Sequence, residues 1–349
     1  MSAHDPNLPE ELVALAARHL RDVLRWTVEH AADAPALVVH DDACALARGL
    51  ASAYRRCLPQ AEHLRFDAHA PELVRAACER RSPGDLVVLV QSTSFRLDAF
   101  RIRLELFARS IKVIEHPHLA RMAGEQARTY VEALAYDPAY YRGVGRALAQ
   151  RLDRAQSLVV HSAAGELVYP AGLEPAKLNV GDYRGLAHVG GQFPIGEVFT
   201  ESRELTAVHG RASVAFFGDT SFTVNRPVRP ITLLVEGGRV REVLDATAEF
   251  EAVLASIRAD EGEVWLRELG LGLNRALTPE RVVDDIGTFE RMCGVHLSLG
   301  AKHATYAKPE IQKRRARHHV DVFVAARDVT LDGESIHRDG AWTVEPAPL

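Results

Sequence analysis

The chain has 349 residues, of which 47% are hydrophobic and 26% charged, with a formal net charge of −5. That length suits about two globular domains, and the acidic balance argues against a nucleic-acid partner. No apolar run reaches the roughly 18 residues of a spanning helix, and the start Met1-Ser-Ala-His-Asp-Pro-Asn7 lacks a basic-then-apolar signal pattern. A cytoplasmic protein with no membrane partner is expected. Cys44, Cys57, Cys78 and Cys293 form no C-x-x-C pair, which predicts buried, reduced thiols.

Helix and strand alternate through the first half. Leu12, Leu15, Ala16, Leu20, Val23 and Leu24 recur at helical spacing and predict a helix over 9–30. Ala36 to His40 reads as a short buried strand, 43–57 as a helix, 63–66 as a strand and 71–81 as a helix. Asp85-Leu-Val-Val-Leu-Val90 is a buried strand, followed by a helix over 98–109 and a strand over 111–115. The stretch 126–154 is helical with a break near Asp137-Pro138. This alternation predicts an α/β N-terminal domain over 1–155, with a parallel sheet covered on both faces. Neither G-x-G-x-x-G after the first strand nor G-x-x-x-x-G-K-[ST] is present, and Gly143-Val-Gly145 falls within a helical stretch. The first half therefore reads as scaffold, lid or dimerisation surface. Gln91-Ser-Thr-Ser94, at the end of the best parallel strand, is where such sheets place ligand loops.

Residues 156–349 predict a mostly β, α+β C-terminal domain. Strands are expected over 157–162, 213–217, 231–236, 239–243, 264–269, 295–299 and 320–325, with helices over 246–257 and 279–285. Ala163-Ala-Gly165, Glu236-Gly-Gly-Arg239, Asp332-Gly333 and Asp339-Gly340 supply turns.

Glu197, Glu268, His296, His319 and Asp321 each sit in a short apolar or glycine-containing run that reads as a strand or strand end. In His318-His-Val-Asp-Val-Phe-Val324 the period of two sends His319 and Asp321 from one face, a pairing suited to a divalent ion. The three carboxylates carry a charge of about −3, which two divalent ions and a hydroxide balance better than one ion does. Ordinary roles also exist for these residues: Glu197 on an exposed strand or as a general base, Glu268 in a salt bridge, His296 as a satisfied core histidine. Cys293, three residues before His296, reads as core packing rather than as a ligand. The basic run Lys313 to Arg317 reads as a solvated loop, or as a cationic rim that attracts an acidic substrate group.

The motifs also occur in a recognisable order. Gly191-Gln-Phe-Pro-Ile-Gly-Glu-Val-Phe-Thr200 is followed by Arg267-Glu-Leu-Gly-Leu-Gly-Leu-Asn274, Gly294-Val-His-Leu-Ser-Leu-Gly300 and His318-His-Val-Asp-Val322. Order and spacing resemble the M29 family of metallo-aminopeptidases, the aminopeptidase T group, over roughly residues 155–345. The closing Asp332-Gly-Glu-Ser-Ile-His-Arg-Asp-Gly-Ala-Trp342 is similar to that family's terminal hairpin. The resemblance implies metal ligands at Glu197, Glu268, His296, His319 and Asp321. It also implies divalent metal, two ions of Zn, Co or Mn, a homodimer, and hydrolysis of an amide at the N-terminal residue of a short peptide or small-molecule substrate. The family's active-site tyrosine, seven residues after the histidine of its H-x-A-L-G segment, is here His303, and Tyr306 stands three residues further on. Glu197, His303 and Tyr306 are thus the expected catalytic residues, and His188 and His209 are further pocket candidates. The chain is also similar in outline to the 2,5-dihydroxypyridine ring-cleaving dioxygenases. On that alternative His296, His319 and Asp321 form a two-histidine, one-carboxylate set for a single Fe(II) acting on a hydroxylated N-heteroaromatic.

Overall fold

The computed structural model describes residues 7–97 and 102–348. The chain divides into two compact units, residues 1–138 with 181–195 and residues 139–180 with 196–349. No helix among the described residues is long and apolar enough to cross a membrane.

The first unit runs α1 (Glu10–Trp26), β1 (Ala36–His40), α2 (Ala45–Cys57), β2 (Glu62–Arg65), α3 (Pro71–Glu79), β3 (Leu86–Val90), α4 (Ile102–Ala108), β4 (Lys112–His116) and α5 (Glu125–Ala133). Residues 98–101 of the expected fourth helix lie outside the described residues. The strands are parallel in the order β2-β1-β3-β4, and β8 (Gly190–Gln192), reached much later in the chain, joins beside β4. Every residue of β1 and β3 is buried, as strands covered on both faces must be. On one face Val74 and Ala77 of α3 and Ile102 and Leu106 of α4 pack on Leu37, Val39, Val87, Leu89 and Val113. The loop after β3 is taken up by its own contacts: the Ser92 N–H donates to Asp41 at 2.8 Å, and the Phe95 N–H donates to Gln91 at 2.5 Å.

The expected helical break falls at Pro138, which opens α6 (Pro138–Leu152). The second unit then contains β5 (Leu158–Ser162), β6 (Gly165–Tyr169), β7 (Lys177–Asn179), β9 (Glu197–Glu201), β10 (His209–Gly218), β11 (Val224–Asn225), β12 (Ile231–Glu236), β13 (Arg239–Leu244), α7 (Ala248–Glu261), β14 (Leu266–Gly272), α8 (Ile286–Phe289), β15 (Gly294–Leu299), β16 (Val320–Val324), β17 (Ala326–Leu331), β18 (Glu334–Arg338) and β19 (Ala341–Trp342). The main path of its 14-stranded antiparallel sheet is β19-β18-β17-β5-β6-β10-β16-β15-β14-β9-β7. Asp332 and Gly333, at φ of 48° and 86°, make the tight turn between β17 and β18.

One expected helix does not form. Residues 279–285 are turns and irregular chain, and helix begins only at Ile286. The Asp285 carboxylate accepts from the Thr288 N–H at 2.9 Å and from its hydroxyl at 3.0 Å, so Asp285 caps a helix start instead of ending a helix. The β-branched Val282 and Val283 just before it add no helical preference.

β14 carries one extra residue against β15. Between the pairs Leu266–Leu299 and Leu269–Leu297, both Arg267 and Glu268 stand opposite Ser298 alone. Such a bulge re-aims side chains, and the Ser298 hydroxyl accepts the displaced Glu268 N–H at 3.0 Å. Arg267 is almost fully buried; it pairs with Glu201 and donates to the carbonyls of Ala301 at 2.6 Å and Tyr306 at 2.9 Å. Burial raises the Glu201 carboxyl above its ordinary value despite Arg267, so desolvation outweighs the pair's attraction. Arg267→Met should therefore destabilise the unit by about 3–5 kcal/mol by stranding Glu201. Arg267→Met with Glu201→Leu should recover most of that loss in urea unfolding; a single variant as stable as the parent would refute this account.

Candidate metal centre

The five singled-out residues come from four neighbouring strands. Glu197 opens β9, Glu268 lies on β14, His296 on β15 and Asp321 on β16, while His319 immediately precedes β16. Register aligns them: Glu197 is opposite Gly272, His296 opposite Gly270 and Phe323, and Asp321 opposite Ser298. Gly270 makes room for the imidazole. A Cβ there would lie 2.0 Å from His296 Nε2.

Two groups of three donors result, each with its ligand atoms within 4.8 Å of one another: Glu197, Glu268 and His296, and Glu268, His319 and Asp321. Glu268 belongs to both. His296 Nε2 is 3.1 Å from Glu197 Oε1 and 3.5 Å from Glu268 Oε1, and His319 Nε2 is 3.2 Å from Asp321 Oδ1 and 4.0 Å from Glu268 Oε1. His296 Nε2 and Asp321 Oδ1 are buried without a hydrogen-bond partner. Orphaned buried donor and acceptor atoms that converge in this way fit a divalent cation in chemistry and number.

The electrostatics follow from burying like charges together. Burial alone would push the Glu197 carboxyl up, but Arg291 and His296 outweigh it and hold it below its usual value. Burial opposes a charged His296, but Glu197 and Glu268 overcome that and raise it well above the usual imidazole value. His319 is likewise raised to about 10, burial being outweighed by Asp321 first. Burial would lift Asp321 too, and His319 reverses this. A proton and a cation thus compete for the same imidazole nitrogens.

His303 joins the group from the loop between β15 and β16. Its buried Nε2 lies 3.4 Å from Glu268 Oε2, so three histidines surround that carboxylate. Burial, with Arg267 adding to it, lowers His303 to about 4, and the ring is neutral at ordinary pH. Tyr306 is turned elsewhere: its hydroxyl donates to the Pro175 carbonyl at 2.7 Å, while its ring edges onto His303. Glu261, at the end of α7, holds both ends of this loop, accepting from the N–H groups of Ala301, Arg317 and His318 at 2.7 Å each. Lys313, Arg314, Arg315 and Arg317 are exposed.

The remaining candidates stand apart from the donor groups. His209 Nδ1 contacts the Ala207 carbonyl at 2.9 Å, and His188 belongs to the first unit, where it packs on Phe107. All four cysteines are free, and the Cys293 thiol donates to the Gly340 carbonyl. Arg291 belongs to none of the sequence motifs. Its guanidinium is buried, with Nη1 3.0 Å from Glu197 Oε2 and paired with Glu290 as well. A charged Glu290-Arg291 pair amid apolar Phe289, Met292 and Cys293 was the available signal.

Neither a protein-family model nor a curated protein matches this chain. Among solved structures, wild-type AmpT from Thermus thermophilus superposes with a TM-score of 0.57 at 16% identity, over 95% of this chain and 99% of that one. The likeness is one of fold.

Proposed function

We propose that the chain is a metal-dependent hydrolase of the aminopeptidase T type, cleaving an amide at the N-terminal residue of a short peptide or a similar small substrate. The observation that carries this reading is the sharing of Glu268 between two three-donor groups, the arrangement a two-ion hydrolytic site needs. The ordered motifs and the fold likeness to AmpT agree with it. Glu197, Glu268 and His296 would hold one ion and Glu268, His319 and Asp321 the other. When bound, such ions lower the pKa of water and polarise a carbonyl. Glu197, kept below its usual pKa, is better suited to ligation than to carrying a proton. Neutral His303 directs Nε2 toward Glu268 and offers a neutral donor where the resembled family has tyrosine. The β-rich 156–349 region carries the chemistry, the α/β 1–155 region is scaffold, and the protein works as a cytoplasmic homodimer. The dioxygenase alternative is less well supported, because His296 falls in one donor group and His319 with Asp321 in the other.

Protein purified without added metal should carry two Zn, Co or Mn ions per chain by elemental analysis, and chelation should abolish amide hydrolysis. One Fe per chain with oxygen uptake on a hydroxylated N-heteroaromatic would overturn the hydrolase reading. Glu268→Ala should weaken both ions by more than the roughly 10–100-fold loss typical of a supporting residue, whereas Glu197→Ala should weaken one. Gly270→Ala should displace the His296 ring, lowering metal affinity and costing about 1–3 kcal/mol of stability from overpacking. Unchanged metal content in that variant would show that His296 is not a ligand.

A further inference from the structure

The donor groups are chemically unequal, and Arg291 is the reason. Its side chain is buried, with Nη1 3.0 Å from Glu197 Oε2. A guanidinium stays charged at any ordinary pH and cannot step aside by losing a proton. Glu197 therefore divides its oxygens: Oε2 faces Arg291, and only Oε1, 3.1 Å from His296 Nε2, faces the other donors. Arg291 Nη1 also contacts Glu290, whose carboxyl burial pushes up. The second group differs. Among the described residues, the ion-pair partners of Glu268 and Asp321 are histidines, with no arginine or lysine in contact.

On the two-ion reading above, we propose that Arg291 is a resident cation of the centre. It restricts Glu197 to one free oxygen and makes the Glu197–Glu268–His296 position the weaker one, filled second and emptied first. Like charges at close range in a buried site repel strongly, and a carboxylate with one oxygen already engaged offers a metal fewer modes of attachment. At the Glu268–His319–Asp321 position Arg291 acts only at longer range, through its attraction for Asp321, and takes up no carboxylate oxygen by contact, so that position retains its ion when the other is lost. Arg291 is thus a positioning residue that acts through Glu197.

Loading order tests this directly. Metal-free protein would be given one equivalent of Zn²⁺ and crystallised, and the ion located by anomalous scattering. The expected peak lies among Glu268, His319 and Asp321, with a second peak beside Glu197 and His296 only in excess Zn²⁺. A first peak beside Glu197, or equal occupancy at both positions, overturns the proposal. In calorimetric titration with Zn²⁺, Arg291→Gln should tighten the weaker step by about tenfold or more, while Arg291→Lys should keep the two steps apart. A Gln variant whose steps are as far apart as in the parent also overturns it. Should that variant not fold, the loading order of the parent protein decides the matter alone. Zinc at neither position would refute the metal-centre reading itself, a result distinct from two ions binding equally.

Discussion

Like-charge crowding on one sheet face is the constraint the second unit is built around. Glu197, Glu268 and Asp321 are all buried, and uncompensated buried carboxylates are costly enough to protonate or to break the fold. The compensation is graded. His319 answers Asp321 side by side along one strand, His296 sits between Glu197 and Glu268, and His303 reaches Glu268 from a loop. Among the described residues, Arg291 beside Glu197 is the one permanent positive charge in direct contact with any of the three carboxylates. The geometry that makes this possible is sheet register: four adjacent antiparallel strands bring residues as far apart in sequence as Glu197 and His296 within ion-pair distance.

Much of this was legible in the sequence because the relevant signals are local. Apolar strands such as Leu86–Val90 and Val320–Val324 declare themselves by composition, and alternation fixes His319 and Asp321 to one face. The helix break just before Pro138 follows from its ring, which disfavours helical backbone in the preceding residue while suiting the first position of a new helix. Elements whose signal depends on partners were harder. The strands Lys177–Asn179 and Gly190–Gln192 are short and polar or glycine-rich, and exist only because β9 and β4 offer edges to them. The region 279–285 is not helical because its β-branched valines favour no helix and Asp285 caps the helix that begins at Ile286. Arg291 was harder to read too. A charged residue in a turn normally points to water, and only the fold shows that this one is enclosed with Glu197. Tyr306 was placed by spacing, yet its hydroxyl is fixed by a carbonyl from a distant segment, Pro175.

Both units bury polar side chains. In the first unit both ring nitrogens of His63 are buried without a hydrogen-bond partner, but one cluster is fully satisfied: His116 lies between the hydroxyls of Tyr54 and Tyr130, each at 2.8 Å, and burial drops it to about 3. Such a closed network rigidifies and leaves nothing to offer a ligand. In the second, buried atoms at His296, His303 and Asp321 lack hydrogen-bond partners.

The bulge at Arg267 and Glu268 has a consequence for how this strand can change. It acts as a phase shifter: alternation before it and alternation after it are offset by one residue. Two neighbours in the chain can thereby serve different tasks, Arg267 anchoring Glu201 and the loop carbonyls while Glu268 stands among histidines. Deleting one residue here would restore a regular strand and merge the two phases, so the strand could no longer supply both side chains. Substitutions around Glu268 are graded in their effect, but a change of length is all or nothing, and β14 is open to drift in composition while closed to drift in length.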